Sequence, residues 1–290
     1  MMNDVLFKYV FGESERKHIT IGFLNAVLNR EGKNAIKDIE FRNIEFVPQR
    51  DDEKLSRIDI FAIIDNDERV DIEVQCVNHQ NMAERSLFYW AHMFLHNQSL
   101  LTAQNYKALK PAIAINVLDY NFLTSEKTCS MYTLRDEENQ RLTDVIELYF
   151  LEVPKLIKKP VKNMSNLERW LGFLSRKWSN EEKEAIAMEE PLIKDAINAV
   201  DRFFMDDASY MAYVNRQAAI WDYNSDMTAY TEKGLEAGRA EGIKAGRAEG
   251  ENKLRSLIDA LYKVGREDEV IKVISDKAFC EKLYKEFGID

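Results

Sequence analysis

The sequence predicts an α/β fold with a mixed central sheet flanked by helices, followed by a helical C-terminal region. Two short β-branched runs separated by turn residues, at 57–64 and 70–75, predict a β-hairpin. A strand is expected at 111–118, directly after a helical segment at about 80–103. Helical spacing of apolar residues resumes at about 170–228. Because the strand at 111–118 is apolar on both faces, helices are expected to cover both sides of the sheet.

The segments around the hairpin complete the predicted order of elements. One or two helices are expected over residues 3–30, with Gly12 as a break. A strand is expected at 36–48, leading into the hairpin. Further strands are expected at 131–134 and 144–153. The core order is therefore helix, three strands, helix and strand.

The hairpin carries acidic side chains inside runs that otherwise resemble buried strands. Alternation along the second run places Asp71, Glu73 and Gln75 on one face. If the hairpin pairs symmetrically about residue 66 or 67, Asp59 lies opposite Glu73 or Gln75, with Cβ atoms roughly 4.5–5.5 Å apart. Buried carboxylates are costly without a partner, and a hard divalent cation such as Mg²⁺ would supply one. Such a cation can activate water for attack on a phosphodiester.

The same spacing has a second interpretation without a metal. Asp59 could lie at a bend, or pair with Arg57 or Arg85. In that case Glu73 could face solvent on an edge strand. The pattern of one acid followed by Glu-x-Gln is short and degenerate, so spacing alone leaves both interpretations open.

Several segments occur in the order found in one group of nucleases. Asp59, a hairpin turn and then Glu73-Val74-Gln75 resemble the PD-(D/E)xK nuclease core, with Gln75 in place of the usual lysine. Five segments resemble the Rpn family of recombination-promoting nucleases and transposase-like proteins, and the resemblance covers about residues 3 to 250. They are Asn3 to Gly12, Phe23-Leu24-Asn25-Ala26, Ile72-Glu73-Val74-Gln75, Glu84 to Trp90, and Glu147-Leu148 through Pro154-Lys155.

This resemblance implies a restriction-endonuclease-like fold, DNA cleavage dependent on Mg²⁺ or Mn²⁺, and a role in recombination or mobile elements. It places Asp59 and Glu73 on the metal-binding acids of that core and Gln75 on the position of the catalytic lysine. A neutral amide can hydrogen-bond the attacking water, but it carries no positive charge for the phosphate. The missing charge could come from one of three basic side chains: Lys8, Lys54 or Arg85.

Further residues near this site have two interpretations each. Asp4 and Lys8, four apart on the first helix, could form an exposed ion pair. In the fold that the resemblance implies, an acid of the first helix can instead approach the metal, so Asp4 is a further candidate ligand. Arg85 could bind a phosphate through its planar guanidinium, or it could pair with a carboxylate while Tyr89 packs in the core.

Composition excludes several other classes of protein. The net charge of −10 argues against a general nucleic-acid coat protein, although a nuclease can contact DNA locally. The three cysteines are far apart and without a CxxC pair, so neither a disulfide framework nor a structural zinc site is expected. His92 and His96 have a spacing that can bind one metal, but an aromatic helix face is the favoured interpretation. No stretch approaches the roughly 20 apolar residues of a membrane span, and a cytoplasmic protein is expected.

A run of basic residues lies around Pro154 and Pro160. It could make local contacts with DNA, or it could be a solvated linker. The linker is the favoured interpretation. The basic residues are Lys155, Lys158, Lys159 and Lys162, next to Arg169, Arg176 and Lys177.

A short repeat places glycine at every fourth residue from 234 to 250. The other positions favour a helix, yet each interior glycine costs about 0.8–1 kcal/mol relative to alanine. A partner at close range would compensate, so either self-association as a homo-oligomer or docking on the catalytic domain is expected. A partly frayed, charged linker is the equal alternative.

Four regions are expected along the chain: a nuclease-like domain at 1–160, a helical extension at 161–230, the glycine-repeat helix or linker at 231–252, and a small helical cap at 253–290. Three functions remain open: a metal-dependent DNA endonuclease, a nuclease-fold DNA-binding or assembly module that has lost cleavage at Gln75, or a structural protein organised by the glycine repeat.

Overall fold

The computed structural model describes residues 2–42, 45–46, 56–57, 59–95 and 109–289. These residues form two compact units, Met1–Trp221 and Asp222–Asp290. Of the predicted positions, Lys54, His96 and the end of the strand expected at 36–48 lie outside the described residues. The sheet belongs to the first unit, and the second unit is helical.

A mixed six-stranded sheet forms the centre of the first unit. The described strands are β1 (Ile39–Arg42), β2 (Glu45–Phe46), β3 (Ser56–Arg57), β4 (Ile60–Ile64), β5 (Glu68–Gln75), β6 (Ala112–Leu118), β7 (Cys129–Tyr132) and β8 (Ile146–Glu152). The spatial order is β1-β4-β5-β6-β8-β7, and β2 pairs with β3 separately. β4 and β5 are antiparallel, whereas β5, β6 and β8 are parallel. The predicted fold class is confirmed.

Helices flank the sheet and continue to the C-terminus. The described α-helices are α1 (Asp4–Phe11), α2 (Lys17–Val27), α3 (Met82–Leu95), α4 (Asn166–Leu174), α5 (Asn180–Glu189), α6 (Pro191–Met205), α7 (Asp207–Lys263), α8 (Val270–Ser275) and α9 (Lys277–Phe287). The Asn3 side chain caps α1, and Gly12 ends it, as predicted. Ser165 and Ser179 begin α4 and α5 with capping boxes. Among the described helices, none is both long and apolar enough to cross a membrane.

The two faces of β5 meet different layers of the fold. Ile72 and its neighbours on one face join the main core, which includes Phe7 of α1 and Trp170 of α4. The other face carries Asp71 and Glu73, because side chains alternate along the strand. On that side α3 packs against the sheet through a smaller cluster that includes Phe61, Met93 and Ala112. Burial of the two acids therefore follows from the position of β5 inside the sheet.

The hairpin register follows one of the two predicted alternatives. Ile60 pairs with Ile72 and Ile64 pairs with Glu68, so the pairing is centred on residue 66. The expectation of one continuous strand over 57–64 is wrong. Arg57 belongs to β3 in the separate two-stranded sheet, and Asp59 lies at a bend before β4. The strand pairing ends there because the hydrogen bonds between Asp59 and β5 each join a main-chain N–H to a side-chain carboxylate, and not to a main-chain carbonyl.

The second unit is built around the end of α7, with α8 and α9. Its buried core consists of four apolar side chains: Leu257, Leu261, Val273 and Leu283. The glycines at every fourth residue from 234 to 250 lie within α7, so their predicted helical conformation is confirmed. Among the described residues, no atom lies within 4 Å of a Cβ added at any of them. Packing among the described residues of the second unit therefore does not explain this stripe.

Candidate active site

The bend before β4 brings Asp59 beside Glu73 of β5. The main-chain N–H of Asp59 donates to Glu73 Oε1 at 3.1 Å. In return, the main-chain N–H of Val74 donates to Asp59 Oδ2 at 3.0 Å. These reciprocal bonds hold the two carboxylates together where the hairpin pairing ends. Glu73 is 1% exposed on an interior strand, so the interpretation that it faces solvent on an edge strand is wrong.

Three other predicted site residues contact these two acids. Lys8 Nζ, on α1, lies 3.0 Å from Asp59 Oδ1. Gln75 Nε2 donates to Glu73 Oε2 at 3.2 Å, and Arg85 Nη2 of α3 lies 3.4 Å from the same oxygen. The side chains of Lys8 and Arg85 are 36% and 33% exposed. Each cation therefore reaches a buried acid while remaining partly open to solvent.

The helix α3 holds Arg85 against both a carboxylate and an aromatic ring. Tyr89, one turn later, is buried in the core, as one of the two interpretations required. The guanidinium carbon of Arg85 lies 5.0 Å from the centre of the Tyr89 ring. Its carboxylate partner is Glu73, whereas Asp59 pairs with Lys8. Arg85 is therefore positioned from two sides at the edge of the acidic pair.

Asp71 is a third acid at this site that sequence reasoning did not select. It lies two residues before Glu73 on the same face of β5, is 1% exposed, and its Oδ1 atom has no hydrogen-bond partner among the described residues. The alternation that placed Asp71, Glu73 and Gln75 together was the available signal. A buried, unpartnered carboxyl oxygen is unfavourable without a proton or a cation.

Burial raises the pKa values of all three acids, and repulsion by a neighbouring acid adds to each shift. Burial, reinforced by the charge of Asp59, raises the pKa of Glu73 to about 8, although Arg85 opposes the shift. Burial also raises the pKa of Asp59 against the opposing charge of Lys8. The pKa of Asp71 lies well above its usual range because of burial and the charges of Glu73 and Asp59. Without an added cation, this cluster therefore retains protons that isolated carboxyls would lose.

Asp4 pairs with an arginine that neither of its two sequence interpretations named. Its Oδ1 atom accepts a hydrogen bond from Arg216 Nε of α7 at 2.7 Å. Lys8, four residues later, contacts Asp59, so the predicted ion pair between Asp4 and Lys8 is replaced by two longer-range pairs. The charge of Asp4 nevertheless acts on Asp59 and raises its pKa. Asp4 therefore lies beside the acidic cluster, with Arg216 as its partner.

Comparison with known protein families identifies the family to which this chain belongs. A family model described as PD-(D/E)XK nuclease family transposase matches residues 1–229, well over half of the 290 residues. The chain belongs to the PD-(D/E)XK nuclease family transposases. The family predicted from the sequence is thus confirmed. No curated protein and no solved structure gives a significant match.

PD-(D/E)XK nucleases generally use divalent metals, and the residues present fit such an ion in part. Among the described residues, no group of three or more His, Cys, Asp or Glu side chains is arranged to hold a metal. Asp59 and Glu73 nevertheless supply two carboxylates, and Mg²⁺ is commonly bound by one or two carboxylates together with water and substrate phosphate. Asp71, two residues before Glu73 on the same face of β5, keeps an unpartnered Oδ1. Carboxylate oxygens are the kind of ligand that hard cations prefer.

In this PD-(D/E)XK protein three lysines around Pro154 and Pro160 form ion pairs with glutamates. Lys155 is buried against Glu152, at 2.8 Å, and donates to loop carbonyls. Lys158 and Lys159 pair with acids of α5 and α4. The interpretation of a solvated linker is therefore wrong for Lys155 but holds for Lys158 and Lys159, which are exposed in the irregular segment at 156–160. On α3, the His92 ring lies 4.3 Å from the Phe88 ring, in accord with an aromatic helix face.

Proposed function

We propose that this PD-(D/E)XK family member is a DNA endonuclease that hydrolyses phosphodiester bonds with Mg²⁺ or Mn²⁺ and acts in recombination or transposition. The observation that carries the proposal is the pair of reciprocal hydrogen bonds between Asp59 and the strand that carries Glu73. They fix two oxygen-rich side chains at one point, with two half-exposed cations beside them. A bound divalent cation would polarise the phosphate and lower the pKa of the attacking water.

The protein's own residues would divide the remaining work. Asp59 and Glu73 would hold the cation, which requires Lys8 to leave Asp59 Oδ1. Lys8 and Arg85 would then be free to stabilise the charge that builds on the phosphate, Arg85 through two parallel N–H donors. Gln75 would release Glu73 and orient the attacking water with its amide. Binding of metal and DNA would thus replace the contacts that Lys8, Arg85 and Gln75 make with the two acids.

Incubation of the purified protein with supercoiled plasmid tests this proposal. We expect conversion to nicked or linear DNA with Mg²⁺ or Mn²⁺, and none in EDTA. Absence of conversion with both metals, under conditions in which the protein is folded, would contradict it.

Gln75 is expected to contribute through a hydrogen bond that is needed in the transition state. Gln75→Ala should lower the cleavage rate by about 10²–10³-fold, the usual cost of losing one such donor. Gln75→Lys should retain cleavage, because an ammonium at this position can also serve the phosphate. Single-turnover cleavage assays measure both effects. Gln140→Ala, at an exposed position far along the chain, is the control, and a Gln75→Ala variant with the parent rate would remove Gln75 from the mechanism.

The glutamine at position 75 also favours the second candidate function, a nuclease-fold module that binds DNA or assembles without cleavage. This function predicts DNA binding with no metal-dependent product. It also predicts no thermal stabilisation by Mg²⁺ or Mn²⁺. The thermal shift of the parent and of Glu73→Ala separates the two functions.

We further propose that the glycine stripe of α7 packs against a second copy of the chain. The stripe is exposed, and Leu235 and Ile243 beside it are 70% and 52% exposed. Small residues at every fourth position let two helices approach closely. A second copy would also offset the helix cost of about 0.8–1 kcal/mol per glycine.

Enlarging the stripe should therefore dissociate the oligomer. We expect the double change Gly238→Leu and Gly242→Leu to shift the protein to monomer in analytical ultracentrifugation. Ala240→Leu is the matched control, because a position two residues before Gly242 lies on roughly the opposite side of the helix. An unchanged mass for the double variant, or a monomeric parent, would contradict this contact.

A further inference from the structure

We infer that Arg216 is a phosphate-contacting residue of the candidate active site and that Asp4 competes with DNA for it. The inference rests on the proposed function, because it assigns a further contact to the same DNA. Arg216 lies on α7, far along the chain from the hairpin and from α1. Neither its position in the sequence nor the resemblance of the hairpin pointed to it.

The contact of Arg216 places it beside the acidic cluster. Its Nε–H donates to Asp4 Oδ1 at 2.7 Å, across 212 residues of sequence. Asp4 opens α1, and Lys8 one turn later contacts Asp59. The hydrogen bond to Asp4 raises the pKa of Arg216, and the charge of Asp59 raises it further. Arg216 therefore experiences the field of the same acid that Lys8 neutralises.

The side chain of Arg216 is open to solvent, as a side chain that contacts DNA must be. Its side chain is 48% exposed, compared with 36% for Lys8 and 33% for Arg85. The three cations belong to α1, α3 and α7 and pair with acids at or beside one cluster. A phosphate backbone that approached this cluster would thus meet positive charge from three separate elements.

The ion pair between Asp4 and Arg216 is weak enough for a phosphate to replace Asp4. An ion pair whose arginine is half-exposed contributes little to stability, because water screens the charges. A guanidinium presents a planar fork of five N–H donors that matches a phosphate, and only one donor is needed for Asp4. A phosphate oxygen can therefore replace the Asp4 carboxylate at little cost to folding. Release of Asp4 would at the same time leave that acid free beside the metal ligands.

The alternative is that the pair between Asp4 and Arg216 only docks α7 on α1. Both roles predict some loss of thermal stability in Arg216→Ala. They differ in the salt dependence of DNA binding, because each phosphate contact contributes about 0.9 to the slope of log K against log salt.

Fluorescence anisotropy of a labelled duplex in EDTA, across a series of salt concentrations, tests the inference without cleavage. We expect Arg216→Ala to weaken binding several-fold and to reduce the salt slope by about 0.9, with Arg216→Lys retaining most of the slope. The control is Arg202→Ala, an exposed arginine of α6 in the same unit, which should leave the slope unchanged. An unchanged slope and affinity in Arg216→Ala would overturn the inference.

A second arm tests the competition by Asp4. Asp4→Asn should tighten DNA binding in the parent and have a much smaller effect in the Arg216→Ala background. Equal effects in both backgrounds would show general electrostatics and would overturn the competition. Failure of the nuclease proposal would be distinguishable. If Arg216→Ala lowers the salt slope but the parent never cuts DNA, the proposed activity is contradicted and the Arg216 contact stands.

Discussion

Asp59→Asn is expected to reduce plasmid cleavage by at least about 10³-fold while leaving the protein folded. A metal ion supplies several kcal/mol of transition-state stabilisation, and about 4 kcal/mol corresponds to that factor in rate. Asparagine keeps the shape of the side chain and can still accept the N–H of Val74, which the Asp59 Oδ2 atom accepts at 3.0 Å. It removes the negative charge that holds the cation and pairs with Lys8. The loss should therefore appear in the rate more than in stability.

The hairpin offers a matched control for this change. Asp67→Asn removes one negative charge from the turn at the other end of the same two strands, and asparagine tolerates its positive φ of 61°. We expect its cleavage rate to equal that of the parent. The assay is single-turnover conversion of supercoiled plasmid at saturating Mg²⁺. Equal rates for Asp59→Asn and Asp67→Asn would exclude Asp59 as a metal ligand.

In the absence of metal, the melting temperature is expected to fall as the pH rises from about 5 to about 8. The pKa of Glu73 is raised from 4.5 to about 8, so the folded protein keeps a proton that the unfolded chain releases in this range. The free energy of unfolding therefore decreases with rising pH. One pKa unit is worth about 1.4 kcal/mol, and each kcal/mol shifts the melting temperature of a unit this size by about 2–4 °C. A fall of at least about 4 °C is expected.

Divalent cations should reverse this trend, because they bind the deprotonated acids. Mg²⁺ is expected to stabilise the protein more at pH 8 than at pH 6, with differential scanning fluorimetry as the measurement. Glu73→Gln removes the titrating group, so it should flatten the pH dependence and weaken the response to Mg²⁺. Glu68→Gln, at the start of β5, is the control. A parent whose melting temperature rises across this pH range without metal would contradict the burial of protonated acids.

The register of the hairpin could be predicted because it depends on local information. A turn near residue 66 or 67 and alternation along the strands are enough to place Asp59 opposite Glu73 or Gln75, and the observed pairing selects Glu73. A bend at Asp59 was one of two interpretations of the sequence, and the sequence could not select it, since the bend depends on two hydrogen bonds that each join a side chain to the backbone of the other segment. The periodicity of apolar residues indicates regular strand pairing, and it contains no signal for hydrogen bonds between a side chain and the backbone.

Residues that are distant in sequence show a second limit. Asp4 and Lys8 are four apart on one helix, and their spacing favoured a local ion pair. The folded chain supplies other partners, Arg216 of α7 for Asp4 and Asp59 of the hairpin for Lys8. Asp71 was visible on the correct face of the strand, but only its burial and its unpartnered oxygen distinguish it from an ordinary strand acid. Tertiary burial, which a single sequence does not reveal, therefore completes the site.

Diffraction from crystals soaked in Mn²⁺, with data collected at the manganese absorption edge, tests the central claim most directly. An anomalous peak is predicted between the carboxylates of Asp59 and Glu73, with Lys8 displaced from Asp59, and it should disappear in Glu73→Gln. The absence of a peak at these two acids in a fully soaked crystal, or a peak only elsewhere, would contradict the metal site on which the proposed cleavage depends.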